Sequence, residues 1–128
     1  MTIQECYRAF GGDYADVKER LCSDALIRRF IGRFLSDDSY VMLCRAMEAG
    51  QCADAFRAAH TLKGVSANLS MTGLCASAGR LTELLRTATA CIPPEAAPVM
   101  ADVSREYALT VDAIRAYLDS AQSAVDKQ

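Results

Sequence analysis

Residues 60–72 read His60-Thr-Leu-Lys63-Gly64-Val-Ser66-Ala-Asn68-Leu69-Ser70-Met-Thr72 and contain the only histidine of the chain. We predict one helix from Ala53 to Leu69, because a rotation of about 100° per residue gathers the small and apolar side chains of this segment on one side. These side chains are Ala55, Ala58, Ala59, Leu62, Val65, Ser66 and Leu69. His60 lies roughly 160° from the middle of this apolar face, so its imidazole is expected to face water.

The residues around His60 favour contact of the imidazole with a charged group and with a partner protein. Lys63 and Arg57 lie three positions to either side of His60, so both cations are predicted to reach a charge held on the ring. Gly64 is unusual, because glycine inside a helix costs about 1 kcal/mol relative to alanine. With only hydrogen at Gly64 and a methyl group at Ala67, another protein could approach the imidazole closely. We therefore interpret these two positions as an access path.

Length and composition predict a single globular domain over residues 1–128. Apolar residues make up 52% of the 128 residues and charged residues 23%, which is typical of a chain that buries a core. The net charge of −2 does not favour binding to nucleic acid. The chain shows neither a secretion signal nor the ~20 apolar residues of a membrane span. We expect a cytoplasmic monomer that does not bind a membrane.

Neither the cysteines nor any nucleotide-binding motif indicates a cofactor. The six cysteines are expected to be reduced thiols, because they are scattered over predicted helix faces and no secretion signal precedes them. The spacing of Cys44, Cys52 and His60 does not match a compact set of metal ligands, so no metal site is predicted. The chain also lacks a GxxxxGK[ST] loop and a GxGxxG turn. Without these motifs, the sequence shows no recognised ATP-binding site.

Helical periodicity extends along the first part of the chain. Residues 1–22 are predicted to form an annex of two short helices, the first of which ends at Gly11. From Ser23 or Asp24 to Gly50, an apolar pattern that includes Val41 is interrupted by the polar residues 36–39. The pattern leaves open whether this region is one kinked helix or two. Within the interruption, we interpret Asp37 and Asp38 as helix caps and solvated charge.

Two more helices are predicted after the histidine helix, and no window shows the alternation of a strand. Leu74, Ala78, Leu81 and Leu85 mark the first, which must run antiparallel to the histidine helix because the linker is short. The second is predicted to begin at Pro94 or Glu95. Its inner side would hold Val99, Val103, Tyr107, Val111, Ile114, Leu118 and Ala121. The predicted fold is therefore all-α, an antiparallel four-helix bundle over residues 23–121 with the annex at its N-terminus.

The segment Ala58–Leu69 resembles the signature of histidine-containing phosphotransfer (HPt) domains, which reads approximately His-x-Leu-Lys-Gly followed by small residues. The helices on either side of this segment also resemble those of the family. In HPt domains, an exposed histidine on a four-helix bundle carries a phosphoryl group between the aspartates of receiver domains, or from a kinase to such an aspartate. Ser70 departs from the pattern, because the family usually has glycine at this end of the helix.

The resemblance implies roles for individual residues. The matching positions are His60, Lys63, Gly64, Ser66 and Ala67. His60 would accept the phosphoryl group, Lys63 would stabilise its charge, and Gly64 and the small residues would give a partner access. Phe56, one turn before the histidine, and Arg57 are candidate docking contacts. The partner would be a response-regulator receiver domain or a hybrid histidine kinase, and the receiver domain would supply Mg²⁺.

The chemistry of an exposed imidazole agrees with this resemblance. Phosphoryl transfer depends mainly on positioning and charge stabilisation, and a neutral imidazole can attack without a general base. We therefore predict a phosphorelay intermediate of two-component signalling, a phosphocarrier rather than an enzyme with its own ATP site. Two alternatives stay open: a helical interaction module that carries no phosphate, and the phosphorylated domain of a chemotaxis-type kinase. The run from Met1 to Gln128 has no linker tail, which favours a free-standing protein.

Overall fold

The protein, seen in a computed structural model that describes residues 1–88 and 90–126, is all-α as predicted. In this part of the chain there are seven helices and no strand. The helices are α1 (Ile3–Phe10), α2 (Tyr14–Leu21), α3 (Asp24–Phe34), α4 (Ser39–Ala49), α5 (Cys52–Asn68), α6 (Thr72–Arg86) and α7 (Ala96–Asp126). None of the described helices combines the length and the apolar character that a membrane span requires.

Helices α4 to α7 form the bundle, and each packs against the next. The linkers 50–51 and 69–71 are so short that α5 must reverse the direction of α4, and α6 that of α5. An aromatic contact joins the first and last helices of the bundle. The ring of Tyr40 stacks on Tyr107 with 3.8 Å between centroids, and the Tyr40 hydroxyl donates to Ser104 Oγ at 3.0 Å. These contacts confirm the predicted four-helix bundle, but its first helix is α4, whereas the prediction began the bundle at residue 23.

The region from Ser23 to Ala49 forms two helices, which settles the alternative that the sequence pattern leaves open. The Ser23 hydroxyl caps α3 by accepting the amide of Leu26 at 3.1 Å. At the break, the carboxylate of Asp37 accepts the amide and the hydroxyl of Ser39 at 3.2 and 2.6 Å. Asp38 is exposed and its side chain makes no capping hydrogen bond. Of the two acids interpreted as caps, only Asp37 therefore supports the start of α4.

Two details of the predicted helices are wrong. The last helix begins at Ala96, because the chain first makes a turn in which the amides of Ala96 and Ala97 donate to the carbonyls of Pro93 and Pro94 at 3.0 and 3.2 Å. Val41 is 45% exposed, because α4 packs through the buried Leu43 and Ala46 instead. For the predicted inner face of α7, the Ala121 side chain lies outside the described residues.

The N-terminal annex is part of the core and caps the histidine helix. The buried residues of α1 are Ile3, Cys6, Tyr7 and Phe10, and this helix packs against α7. The Tyr7 hydroxyl donates to the carbonyl of Leu69 at 2.8 Å, and the amide of Asp13 donates to the carbonyl of Ser70 at 2.9 Å. Burial raises the pKa of the Tyr7 phenol, so the group stays protonated and remains a donor. The annex therefore provides partners for the carbonyl at the C-cap of α5, where a helix has none of its own, and for a carbonyl of the turn that follows.

Ser70 adopts the backbone conformation for which glycine is usually preferred. Its φ of 54° lies in the left-handed region, which is costly for residues with a Cβ atom. The Ser70 hydroxyl donates to the carboxylate of Asp16 at 2.6 Å. This hydrogen bond, followed by one from Arg20, lowers the pKa of Asp16. Serine at this turn thus gains a contact with α2 that glycine could not make.

Replacing Tyr7 with phenylalanine should lower the free energy of unfolding by about 1–2 kcal/mol, because the buried carbonyl of Leu69 would lose its partner. Tyr14→Phe is the matched control, since the Tyr14 hydroxyl donates to the exposed Asp24 at 2.6 Å. The control should lose only about 0.5 kcal/mol or less. Urea unfolding followed by circular dichroism measures both changes, and equal losses would argue against the capping role of Tyr7.

Candidate functional site

His60 lies in the middle of α5 with its side chain exposed, on the side of the helix away from the core. The buried residues of α5 and its C-cap are Cys52, Ala55, Ala58, Ala59, Leu62, Ser66 and Leu69. They include every member of the predicted apolar face except Val65, which is half-buried. The imidazole lies nearly parallel to the ring of Phe56, with an interplanar angle of 15° and 6.1 Å between centroids. An aromatic surface one turn earlier therefore flanks the exposed imidazole.

Lys63 lies one turn after His60 and crosses towards α6. Its Cδ and Cε atoms are 3.7 and 3.6 Å from the position that a Cβ atom would take at Gly79. The lysine stem therefore packs along α6 at a point where that helix has no side chain. Among the ion pairs formed by the described residues, none involves Lys63. The ammonium group of Lys63, which is one helical turn from His60 along α5, thus has no carboxylate partner in this part of the chain.

Ser66 does not lie on the access surface that the resemblance implies, and Arg57 is paired within its own helix. The guanidinium of Arg57 pairs with Asp54, one turn nearer the start of α5, so its charge is already partnered within the helix. Ser66 is buried, and its hydroxyl donates to the carbonyls of Leu62 and Lys63 at 2.7 and 3.0 Å. A buried side chain cannot form part of an access surface, so Ser66 is a core residue of the helix.

Helix α6 contributes residues to the site that sequence reasoning missed. Gly79, Glu83 and Arg86 follow each other at spacings of four and three and therefore share one face of α6. The guanidinium of Arg86 lies over the ring of Phe56, with Cζ 5.1 Å from the centroid. Its Nε and Nη2 atoms donate to the carboxylate of Glu83 at 3.1 and 2.9 Å. In the sequence, Glu83 and Arg86 resemble an ordinary pair on a helix surface, and no signal places them near the histidine.

The antiparallel register brings Glu83 beside His60. Lys63 meets Gly79, and Phe56, seven residues before Lys63, meets Arg86, seven residues after Gly79. Since His60 lies between Lys63 and Phe56, it faces the turn of α6 that carries Glu83. The hydrogen bond from Arg86 and the charge of its guanidinium lower the pKa of Glu83, and Lys63 and His60 add smaller effects in the same direction. Glu83 is therefore ionised at neutral pH.

Gly64 leaves open space next to the imidazole. A Cβ atom at this position would meet no atom of the surrounding structure within 4 Å, so packing does not require glycine here. Glycine in the middle of a helix is nevertheless unfavourable by about 1 kcal/mol relative to alanine. Ala67, the other predicted access position, is half-buried. The space above Gly64 is therefore available to a molecule that approaches His60 from outside.

The cysteines stand apart from this site. Cys52 is buried and Cys44 half-buried, and all six cysteines are free thiols in the structure. Over residues 1–88 and 90–126, no group of three or more histidine, cysteine or acidic side chains is arranged to hold a metal ion.

The family model of the Hpt domain matches residues 36–124, which is more than half of the chain. The chain therefore belongs to the Hpt domain family, whose members are phosphocarrier modules of two-component and phosphorelay signalling that interact with receiver domains and kinases. The match begins just before α4 and ends within α7, so the annex and α3 precede it. No curated protein and no solved structure gives a significant match.

Gly64→Ala should raise the free energy of unfolding by about 0.5–1 kcal/mol, because alanine is the better helix former and its methyl group would meet nothing. Gly32→Ala in α3 is the matched control, since a methyl group there would also meet no neighbour. Only Gly64→Ala should slow phosphoryl transfer with a receiver domain, because its methyl group lies on the approach to His60. Thermal unfolding and transfer rates test both variants. Unchanged transfer in Gly64→Ala would refute the access role.

Proposed function

We propose that the protein is a phosphorelay intermediate in which His60 accepts a phosphoryl group from a receiver-domain aspartate or a kinase and passes it to a response-regulator aspartate. The observation that carries this proposal is the exposed imidazole with Lys63 one turn away, in a chain of the Hpt domain family. The open space above Gly64 supports it, because the donor and acceptor carboxylates belong to another protein and must come close to the ring.

The reaction requires little machinery from this chain. A nitrogen lone pair of the imidazole attacks phosphorus while the P–O bond to the donor aspartate breaks and leaves a free carboxylate. The transition state is loose, so positioning and charge stabilisation provide most of the catalysis. Lys63 would meet the negative charge of the phosphoryl group on His60. We expect the receiver domain to bring Mg²⁺, and this protein to act as carrier without a cofactor of its own.

The contacts of the annex with the bundle support the proposal that the whole chain takes part in the transfer reaction as one folded unit. Residues of α1 are buried against α7, and Tyr7 caps the carbonyl of Leu69 at the end of the histidine helix. We infer that the chain acts as a single domain, in which the segment before the family match helps to fix the helix that carries His60.

His60→Gln tests the proposed function directly. Incubation of the wild-type protein with a phosphorylated receiver domain should give a label that is labile in acid and stable in base, and the variant should remain unlabelled. Because the side chain is exposed, circular dichroism and thermal unfolding should show that the variant keeps its fold. A label that survives on His60→Gln would contradict the proposal. A wild-type protein that binds receiver domains without becoming labelled would instead support the interaction module.

Lys63→Ala should slow the transfer of phosphate from a receiver domain to His60 about tenfold, which corresponds to the loss of roughly 1.4 kcal/mol of charge stabilisation. Arg57→Ala removes the same charge three residues on the other side of His60, but its guanidinium pairs with Asp54. This control should therefore transfer at nearly the wild-type rate. Single-turnover kinetics with a labelled receiver domain measure both rates. Equal slowing by the two substitutions would show that general surface charge, and not the position of Lys63, is responsible.

A further inference from the structure

We propose that Glu83 disfavours the phosphorylated state of His60 and thereby makes the phosphohistidine a stronger phosphoryl donor. This inference rests on the proposed function and concerns the regulation of the same site. Glu83 would act as a positioning residue, because it holds Arg86, and as a fixed negative charge beside the ring.

The first argument is a series of neighbouring side chains that runs from His60 through Phe56 and Arg86 to Glu83. The imidazole of His60 lies along the ring of Phe56, the guanidinium of Arg86 covers that ring, and Glu83 binds Arg86 through two hydrogen bonds. Arg86 therefore lies against the same aromatic ring as the histidine, and its charge is already matched by a carboxylate. Two of its donors are engaged with Glu83 before any phosphoryl group arrives.

The second argument is the balance of charge. A phosphoryl group carries about −1.5 to −2 charges at neutral pH. When it forms on His60, it meets the cation Lys63 on one side and the ionised Glu83 on the facing turn of α6. Glu83 repels the phosphoryl group and competes with it for Arg86. Because both side chains of the Glu83–Arg86 pair are about half exposed, solvent screens the effect and keeps it modest.

The consequence is a phosphohistidine of higher free energy. The repulsion is absent before phosphorylation and is relieved as the phosphoryl group leaves. It should therefore shift the transfer equilibrium towards the receiver aspartate and speed hydrolysis in water. A carrier benefits from the shifted transfer equilibrium, since it must release the phosphate that it accepts, and the faster hydrolysis is a side effect of the same repulsion.

The test uses the full chain and phosphoramidate, a small donor that requires no partner. The imidazole nitrogen attacks phosphorus, the P–N bond of phosphoramidate breaks, and ammonia leaves. The half-life of the phosphohistidine is then measured, together with the distribution of phosphate between the protein and a receiver domain at equilibrium. Glu83→Gln should lengthen the half-life about two- to fivefold and shift the distribution towards His60 by a similar factor. In 1 M NaCl, where the screening length falls to about 3 Å, the difference should shrink.

Three comparisons separate charge from structure. Glu19→Gln removes an equal charge from the exposed face of α2, which packs on α1 and α3, and should leave both measurements unchanged. Glu83→Asp keeps the charge and should restore values near those of the wild type. In an Arg86→Gln background, Glu83→Gln should have a smaller effect, because the competition for Arg86 has been removed.

The outcomes distinguish this inference from the function on which it rests. If phosphoramidate labels the wild type but not His60→Gln, and Glu83→Gln has an unchanged or shorter half-life, the role of Glu83 is overturned while the relay function stands. A Glu83→Asp variant that behaves like Glu83→Gln would also overturn it. If neither phosphoramidate nor a receiver domain labels wild-type His60, both proposals fail.

Discussion

The close antiparallel packing of α5 on α6 is the constraint on which the site depends. A linker of three residues, 69–71, forces α6 back along α5, and the bare backbone at Gly79 lets the stem of Lys63 lie against it. In this register, Lys63 lies opposite Gly79, His60 opposite Glu83, and Phe56 opposite Arg86. Each polar group of the site therefore has its neighbours fixed by two helices, and none depends on a mobile loop.

The annex forms hydrogen bonds with the turn at residues 69–71, which reverses the chain between α5 and α6. At the end of α5, Tyr7 donates to the carbonyl of the C-cap residue Leu69, and the amide of Asp13 donates to the carbonyl of Ser70 in the turn that follows. Ser70 occupies a left-handed conformation there and binds Asp16 through its hydroxyl. Residues that precede the family match thus stabilise the end of the helix that carries His60. The annex therefore helps to position the helix that carries His60.

The charged side chains around His60 differ in whether they form an ion pair. Arg57 with Asp54 and Arg86 with Glu83 have the same three-residue spacing, but only the guanidinium of the second pair lies over Phe56, next to the imidazole. The stem of Lys63 packs along α6 at Gly79, and its charge has no ion-pair partner among the residues that the structure describes. An incoming phosphoryl group would therefore meet one available cation and one cation already shared with a carboxylate, an arrangement that suits temporary retention.

Periodicity in the sequence was sufficient to predict the all-α bundle, the apolar face of α5 and the exposure of His60. It also predicted the buried residues of α6, which are Leu74, Ala78, Leu81 and Leu85. These features follow from the helix repeat within one segment. Periodicity could not choose between one helix and two across residues 23–49, and it placed Val41 in a buried pattern although that side chain is exposed. Those features depend on which neighbour a side chain meets. The resemblance implied an access role for Ser66, which periodicity correctly placed on the buried face. The roles of Glu83 and Arg86 belong to the tertiary structure alone, because residues more than twenty positions from His60 become its neighbours only when α6 folds back on α5.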